Sequence, residues 1–154
     1  MLGLYHPKGR LVGVWLWEAA PDDYNDADTF KTVWPWLKKA ETDTNGRWPV
    51  EVTADRLRDG SLTGFFVKDN GEIICFAAIE VYDLNTAPIR CGNIVWCVAK
   101  RGTLDKWIGF FPYLQTWMKR RGCTQIEGQF RRGYERVLRD YGLKATHTVF
   151  EGAL

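Results

Sequence analysis

Gly64-Phe65-Phe66-Val67-Lys68-Asp69-Asn70-Gly71-Glu72-Ile73-Ile74-Cys75-Phe76-Ala77-Ala78-Ile79-Glu80 is the stretch that decides the fold. Two runs rich in β-branched and aromatic residues flank Asp69-Asn70-Gly71, and an Asn-Gly pair tolerates the positive φ that a type I′ turn demands. The segment reads as strand, tight turn, strand. Asn85-Thr86-Ala87-Pro88 turns the chain again, and Arg90 to Ala99 reads as a third strand, giving an antiparallel meander.

C-terminal to the meander the apolar period changes from two to about 3.6. Leu104, Trp107, Ile108, Phe111, Leu114 and Met118 share one helical stripe, Lys119-Arg120-Arg121 complement the carbonyl end of the dipole, and Gly122 supplies a stop. One helix is therefore expected over Thr103 to Arg121. Thr124 to Gly128 is short and strand-like, so it should run parallel to Arg90–Ala99 across a helical crossover. Arg132 to Asp140 reads as a second helix with Val137, Leu138 and Tyr141 inward and Gly142 at its end, and Ala145 to Phe150 as a closing strand.

On the N-terminal side, Leu11 to Trp17 reads as a strand closed by Ala20-Pro21-Asp22-Asp23. The acidic stretch Asp22 to Asp28 leads into a helix over Thr29 to Ala40, where Pro35 marks a kink or a second start. Thr53, with Asp55 in the first turn, caps a short helix ending near Gly60. The expected class is α/β, a single mixed sheet flanked by helices, in one domain with residues 1–32 as an N-terminal elaboration.

The chain has 154 residues and is 45% hydrophobic and 14% aromatic, enough for one well-filled core. No apolar run approaches the roughly 20 residues needed to span a bilayer. The start, Met1 to Pro7, lacks the charged region and cleavage site of a signal peptide, so an intracellular setting is expected. Cys75, Cys91, Cys97 and Cys123 show no CxxC spacing and read as free, buried thiols. Residues 1–99 carry 10 Lys+Arg against 14 Asp+Glu, whereas residues 100–144 carry 11 against 4. That basic C-terminal half suits a phosphorylated cofactor, nucleic acid or an acidic protein face, or is simply a solvated surface.

The order of elements resembles the plan of the GNAT (GCN5-related N-acetyltransferase) superfamily, and more narrowly the small GNAT-like proteins of tailed bacteriophages and prophages. The resemblance is carried by Val33-Trp34-Pro35, by Gly102-Thr103-Leu104-Asp105-Lys106-Trp107-Ile108, by Trp117 to Glu127, and by Arg132-Gly133-Tyr134-Glu135-Arg136-Val137-Leu138-Arg139-Asp140-Tyr141-Gly142-Leu143. It covers about residues 33 to 152.

The resemblance implies that the third meander strand and the turn after it hold the pyrophosphate of acetyl-CoA, here through Val98, Lys100, Arg101, Gly102 and Thr103. Backbone N–H groups at a helix start attract phosphate oxygens. Ala99-Lys100-Arg101-Gly102-Thr103-Leu104-Asp105 departs from the family signature, with one glycine and with Asp105 where phosphate would come. The family's proton-donating Tyr, four residues before the glycine of the last helical turn, corresponds to Leu138, so Tyr134 or Tyr141 would have to replace it. Glu80 is the candidate general base.

These departures make a catalytically degenerate phage protein, a virion-associated or assembly component, the leading expectation, located in the virion or the host cytoplasm. No cofactor is then expected. Its partners would be other phage structural proteins, or further copies of itself, met through Trp15, Trp17, Trp34, Trp36 and Trp48. The alternative is an acetyl-CoA-dependent N-acetyltransferase with an atypical pyrophosphate loop. A nucleic-acid-binding module using Lys119, Arg120, Arg121, Arg131, Arg132, Arg136 and Arg139 ranks third, because these cations lie on separate elements.

Overall fold

The computed structural model describes the backbone of residues 2–4 and the whole of residues 13–154. One sheet of six strands runs in sequential order: β1 (Leu2–Leu4), β2 (Val14–Ala19), β3 (Thr63–Asp69), β4 (Glu72–Asp83), β5 (Arg90–Ala99) and β6 (Gln125–Gly128). The β1–β2 and β5–β6 pairs are parallel and the other three are antiparallel, which makes the sheet mixed. Within the expected strand Leu11–Trp17, Leu11 and Val12 lie outside the described residues.

The deciding hairpin forms as its sequence requires. Asn70 (φ 50°) and Gly71 (φ 84°) both take positive φ between the paired residues Asp69 and Glu72. Gly92 pairs with Ile126, so Ile94 and Ile126 belong to one sheet and the parallel crossover is present.

Helices α1 (Ala27–Asp43) and α2 (Val50–Asp59) cover one face. There Val33, Leu37, Ala54 and Leu57 pack with Phe66, Phe76 and Trp96. Trp17 is buried in this core, and Trp36 and Trp48 pack against it, so those three indoles serve the fold. Trp34 remains exposed beside Phe30. Asp26 caps α1 by accepting the Thr29 N–H at 2.9 Å, and the helix continues through Pro35 without a second start, forgoing the bond a backbone N–H there would make to Lys31.

The cap of α2 differs from expectation. The helix starts at Val50, whose N–H is taken by Glu41 of α1 at 2.8 Å, and Thr53 lies buried within the first turn. A carboxylate borrowed from the neighbouring helix does the work assigned to the threonine.

The opposite face carries α3 (Leu104–Trp107), α4 (Phe111–Arg120) and α5 (Glu135–Arg139). The expected single helix over 103–121 is interrupted by a 3-10 turn at Ile108–Phe110. Pro112 has no N–H to bond the carbonyl four residues back and is tolerated only in a first turn, so the helix restarts there. The apolar stripe survives the break, with Trp107, Phe111, Leu114 and Met118 all buried. The second helix is likewise shorter than read, a 3-10 turn at Arg132–Tyr134 followed by α5.

The closing strand Ala145–Phe150 does not form; residues 143–154 carry no regular structure, and Phe150 is 91% exposed. Alternation would put Ala145, His147 and Val149 on one face and Thr146, Thr148 and Phe150 on the other. Neither face would bury much apolar area. The segment instead reaches the α1–α2 loop, where Glu151 pairs with Arg47 at 2.5 Å and accepts from Asn45 Nδ2 at 3.4 Å.

Candidate functional site

Strand β5 departs from simple alternation. Its ladder with β4 runs Ala78↔Trp96 and then Ile79↔Ile94, so Val95 is an extra residue, a β-bulge. Val95 and Trp96 therefore both face α1 and α2, while Ile94 and Cys97 face α4.

The parallel ladder with β6 ends at the same place. Its last pair is Ile94↔Gly128, and Gln129 N–H bonds the Ile94 carbonyl at 3.3 Å before the chain leaves. A Cβ on Gly128 would stand 2.5 Å from Phe130 Cε2 and 3.2 Å from the Ile94 carbonyl oxygen, so glycine is what lets Phe130 fold back here. Beyond this point β5 has a partner on one side only. Lys100 N–H bonds Ile74 O at 2.8 Å, which fixes the phase of the antiparallel ladder. By that phase the N–H and C=O groups of Cys97 and Ala99 point away from β4, into the gap that β6 has left.

Beneath the gap, on the α4 side, lies an apolar cavity with about 40 Å³ open to the centre of a water-sized sphere. Its walls include Ala77, Cys75 and Cys97 from the sheet, Trp107 from α3, and Tyr134 and Leu138 from the α5 region. Cys75 Sγ and Cys97 Sγ are 3.7 Å apart. Burial and the neighbouring Cys97 push the Cys75 thiol well above its ordinary range. Trp107, Tyr134 and Phe130 stack edge to face, with centroids 5.8 Å and 6.5 Å apart. The Trp107 indole N–H is buried and has no partner. Tyr134 has its phenol pKa raised, chiefly by burial and then by the two thiols.

The two tyrosine candidates part company here. Tyr134 lines the cavity; Tyr141 packs on Phe111 at 5.1 Å, and its carbonyl accepts from Gln115. Leu138 is buried in the cavity wall.

On the other face, Glu80 of β4, Asn93 of β5 and Glu127 of β6 form one row across three strands. Glu80 accepts from Asn93 at 3.0 Å and from Arg56 of α2 at 2.9 Å, so both of its oxygens are engaged. Glu127 is hydrogen-bonded by the Tyr82 hydroxyl, and its register partner Asn93 precedes Ile94, the last residue of β5 paired with β6. The chain's sequence gave no reason to single out Glu127; only the β5–β6 register brings it to the gap. The same is true of Cys97 and Phe130.

The loop after β5 is less free than its composition suggested. Lys100 is ion-paired with Glu72, Lys106 with Asp69, and Thr103 Oγ donates to the Lys100 carbonyl at 2.6 Å. Gly102 has φ 79° and open space around it, and Arg101 is exposed. Val98 is buried on the α1–α2 face and faces away from the cavity. The helix that follows is a single turn, so its dipole is short.

No protein-family model and no curated protein matches the chain. Solved structures do. A GCN5-related N-acetyltransferase from Ralstonia eutropha superposes with a TM-score of 0.65 at 14% identity, covering 92% of this chain and 99% of that one. A predicted acetyltransferase from Clostridium acetobutylicum, solved with acetyl-CoA, gives 0.64 at 19% identity over 91% and 96%. Glucosamine-6-phosphate N-acetyltransferase from Arabidopsis thaliana gives 0.65 at 12% over 91% and 97%. The chain has the GNAT acetyltransferase fold, with its mixed sheet flanked by helices. No helix among the described residues is long and apolar enough to cross a membrane.

Proposed function

We propose that the chain is an acyl-CoA-dependent N-acyltransferase with an atypical pyrophosphate loop. One observation carries this reading: β5 and β6 part after Ile94↔Gly128 and leave the N–H groups of Cys97 and Ala99 open above an apolar cavity. A thioester fits that combination, because its carbonyl and amide groups need backbone partners and its acyl group needs a dry wall. The orphaned Trp107 N–H adds a buried donor beside the same cavity. The fold likeness to acetyltransferases points the same way.

In this reading acyl-CoA supplies the activated acyl group. Cys97 and Ala99 N–H hold the donor against β5. Tyr134, kept protonated by its burial, carries the proton for the departing thiolate. Glu127, on the far side of the sheet, receives an amine acceptor and takes its proton, while Glu80 is held in the same row by Arg56 and Asn93. Arg101 and the Gly102 turn meet the phosphates, with Lys100 held back by Glu72.

The test is calorimetry with acetyl-CoA together with a thiol-release assay. Micromolar binding that Arg101→Glu abolishes supports the reading. No heat at millimolar ligand retires it.

Leu138 favours a second reading. A leucine at the donor position suits a phage-encoded protein that has lost chemistry and serves as a virion or assembly component. Mass spectrometry of purified particles would find such a component at fixed copy number; its absence there removes this reading.

A further inference from the structure

Four buried side-chain atoms have no hydrogen-bond partner among the described residues: Tyr24 Oη, Thr53 Oγ1, Trp96 Nε1 and Trp107 Nε1. Tyr24 and Trp96 sit in the α1–α2 core, and Thr53 in the first turn of α2. Trp107 alone of the four lines the cavity beneath the β5–β6 gap, and it is 8% exposed. An indole N–H can only donate, and neither the Cys75 and Cys97 thiols nor the Tyr134 hydroxyl in the same walls accepts it. Packing at this point of the apolar stripe calls for a ring and for no polar atom, so the unpaired donor is a cost that a hydrocarbon ring would avoid. A bound water would be poorly held, because buried waters make about three hydrogen bonds and these walls are almost wholly apolar. What suits the N–H is an acceptor oxygen on a group that is otherwise apolar.

Resting on the transferase reading, we propose that Trp107 is a catalytic residue whose indole N–H receives the carbonyl oxygen of the acyl thioester. As the amine attacks, a carbonyl–nitrogen bond forms and the carbonyl π pair moves onto oxygen. When that pair returns, the carbonyl–sulfur bond breaks, and the proton lost by nitrogen ends on the CoA thiol. The negative charge that gathers on oxygen in between is what a fixed N–H in an apolar wall stabilises most. The ring is fixed, since Tyr134 stands against it at 80° with centroids 5.8 Å apart. Trp107 reaches the oxygen from the helix side, and the open N–H groups of Cys97 and Ala99 hold the rest of the donor along β5.

The experiment records the indole signals in a proton–nitrogen correlation spectrum of the full chain labelled with 15N-tryptophan. The ligands are acetyl-CoA and the ethyl thioether of CoA, which keeps the two carbons and lacks the oxygen. Trp107→Phe or Trp107→Tyr assigns the signal by its loss, and Trp96, unpartnered in the other core, is the control. Acetyl-CoA should move the Trp107 proton downfield, as a new hydrogen bond does, the thioether should leave it in place, and Trp96 should not move with either. In turnover on a primary amine, Trp107→Phe should lower kcat about 100-fold, the lower end for losing one oxyanion donor. Its affinity for acetyl-CoA should stay within about fivefold. Equal movement with both ligands, or none with acetyl-CoA bound, overturns the role of Trp107 and leaves the transferase reading standing. Both results are read on the unaltered chain, so they hold even where Trp107→Phe misfolds. Failure of acetyl-CoA, the thioether and CoA itself to bind overturns both.

Discussion

Cys75 Sγ lies 3.7 Å from Cys97 Sγ, on neighbouring strands, in the wall of the cavity beneath the β5–β6 gap. Cys75 is buried and Cys97 half-buried, so the pair offers one reachable thiol at the site. Iodoacetamide should modify Cys97 and Cys123 well before Cys75 and Cys91, since alkylation needs an accessible thiolate. Saturating acyl-CoA should then protect Cys97 and leave Cys123 unchanged. Peptide mass mapping with and without ligand reads both, with Cys123 as the internal control.

Tyr134→Phe should lower kcat by about 100-fold, the lower end for losing a general acid, with ligand affinity kept. Tyr141→Phe should stay within about twofold, since Tyr141 packs on Phe111 outside the cavity. The raised pKa of Tyr134, caused chiefly by burial, sets the pH dependence: the phenol keeps its proton through neutral pH and the alkaline limb of kcat falls only above the ordinary tyrosine range. Stopped-flow or plate-based thiol release over a pH series measures it.

Glu72 holds Lys100 in an ion pair at the mouth of the loop. Glu72→Gln should release Lys100 towards phosphate and tighten CoA binding by about threefold, a scale usual for exposed pairs. Lys100→Gln should weaken it by a similar factor. Both effects should vanish near about 1 M salt, where screening is nearly complete. Calorimetry at two salt concentrations decides.

The hydroxyl of Tyr24 stands 2.3 Å from where a Cβ on Gly64 would lie, with Phe76 and Phe66 at 3.2 Å and 3.3 Å. Gly64→Ala should cost about 1–3 kcal/mol through overpacking. Tyr24→Phe should be close to neutral, because the buried hydroxyl has no partner to lose. Combined, the two should recover much of the loss, a coupling that a double-mutant cycle in urea reads directly. Tyr24 also titrates far above an ordinary tyrosine owing to burial. Above about pH 10 the unfolded chain sheds that proton and the folded one keeps it, so stability falls by about 1.4 kcal/mol per pH unit. Tyr24→Phe should remove that share of the slope.

Much of the fold was legible because its strongest signals are local. Asn70-Gly71 can turn only one way, and the run from Arg90 to Ala99 became β5 with those bounds. The helix after it is where a stripe and a breaker disagree: Trp107, Phe111 and Leu114 keep helical spacing across Pro112, so periodicity alone implies one helix where the proline forces a restart. The tail misled for the opposite reason, since Thr146, Thr148 and Val149 favour strand conformation while no neighbour offers them buried area. Within the site, the spacing to Gly142 points to Leu138, and Tyr134, one turn earlier and only a suggested replacement for it, lines the cavity beside it. Cys97, Glu127 and Phe130 were not named, because their proximity comes from register and a bulge. A bulge at Val95 is invisible in a strand whose two faces are both apolar.

That one surplus residue has a genetic consequence. Removing Val95 would close the bulge and restore simple alternation, keeping the Trp96 indole toward α1 and the Cys97 thiol toward α4. Removing Cys97 would instead seat Val98 in its place, and Val98 and Ala99 would exchange faces. The strand is therefore expected to tolerate loss of its bulged residue yet reject a deletion beyond Trp96. A deletion scan scored by folding should find Val95 the most tolerant codon between Val95 and Ala99.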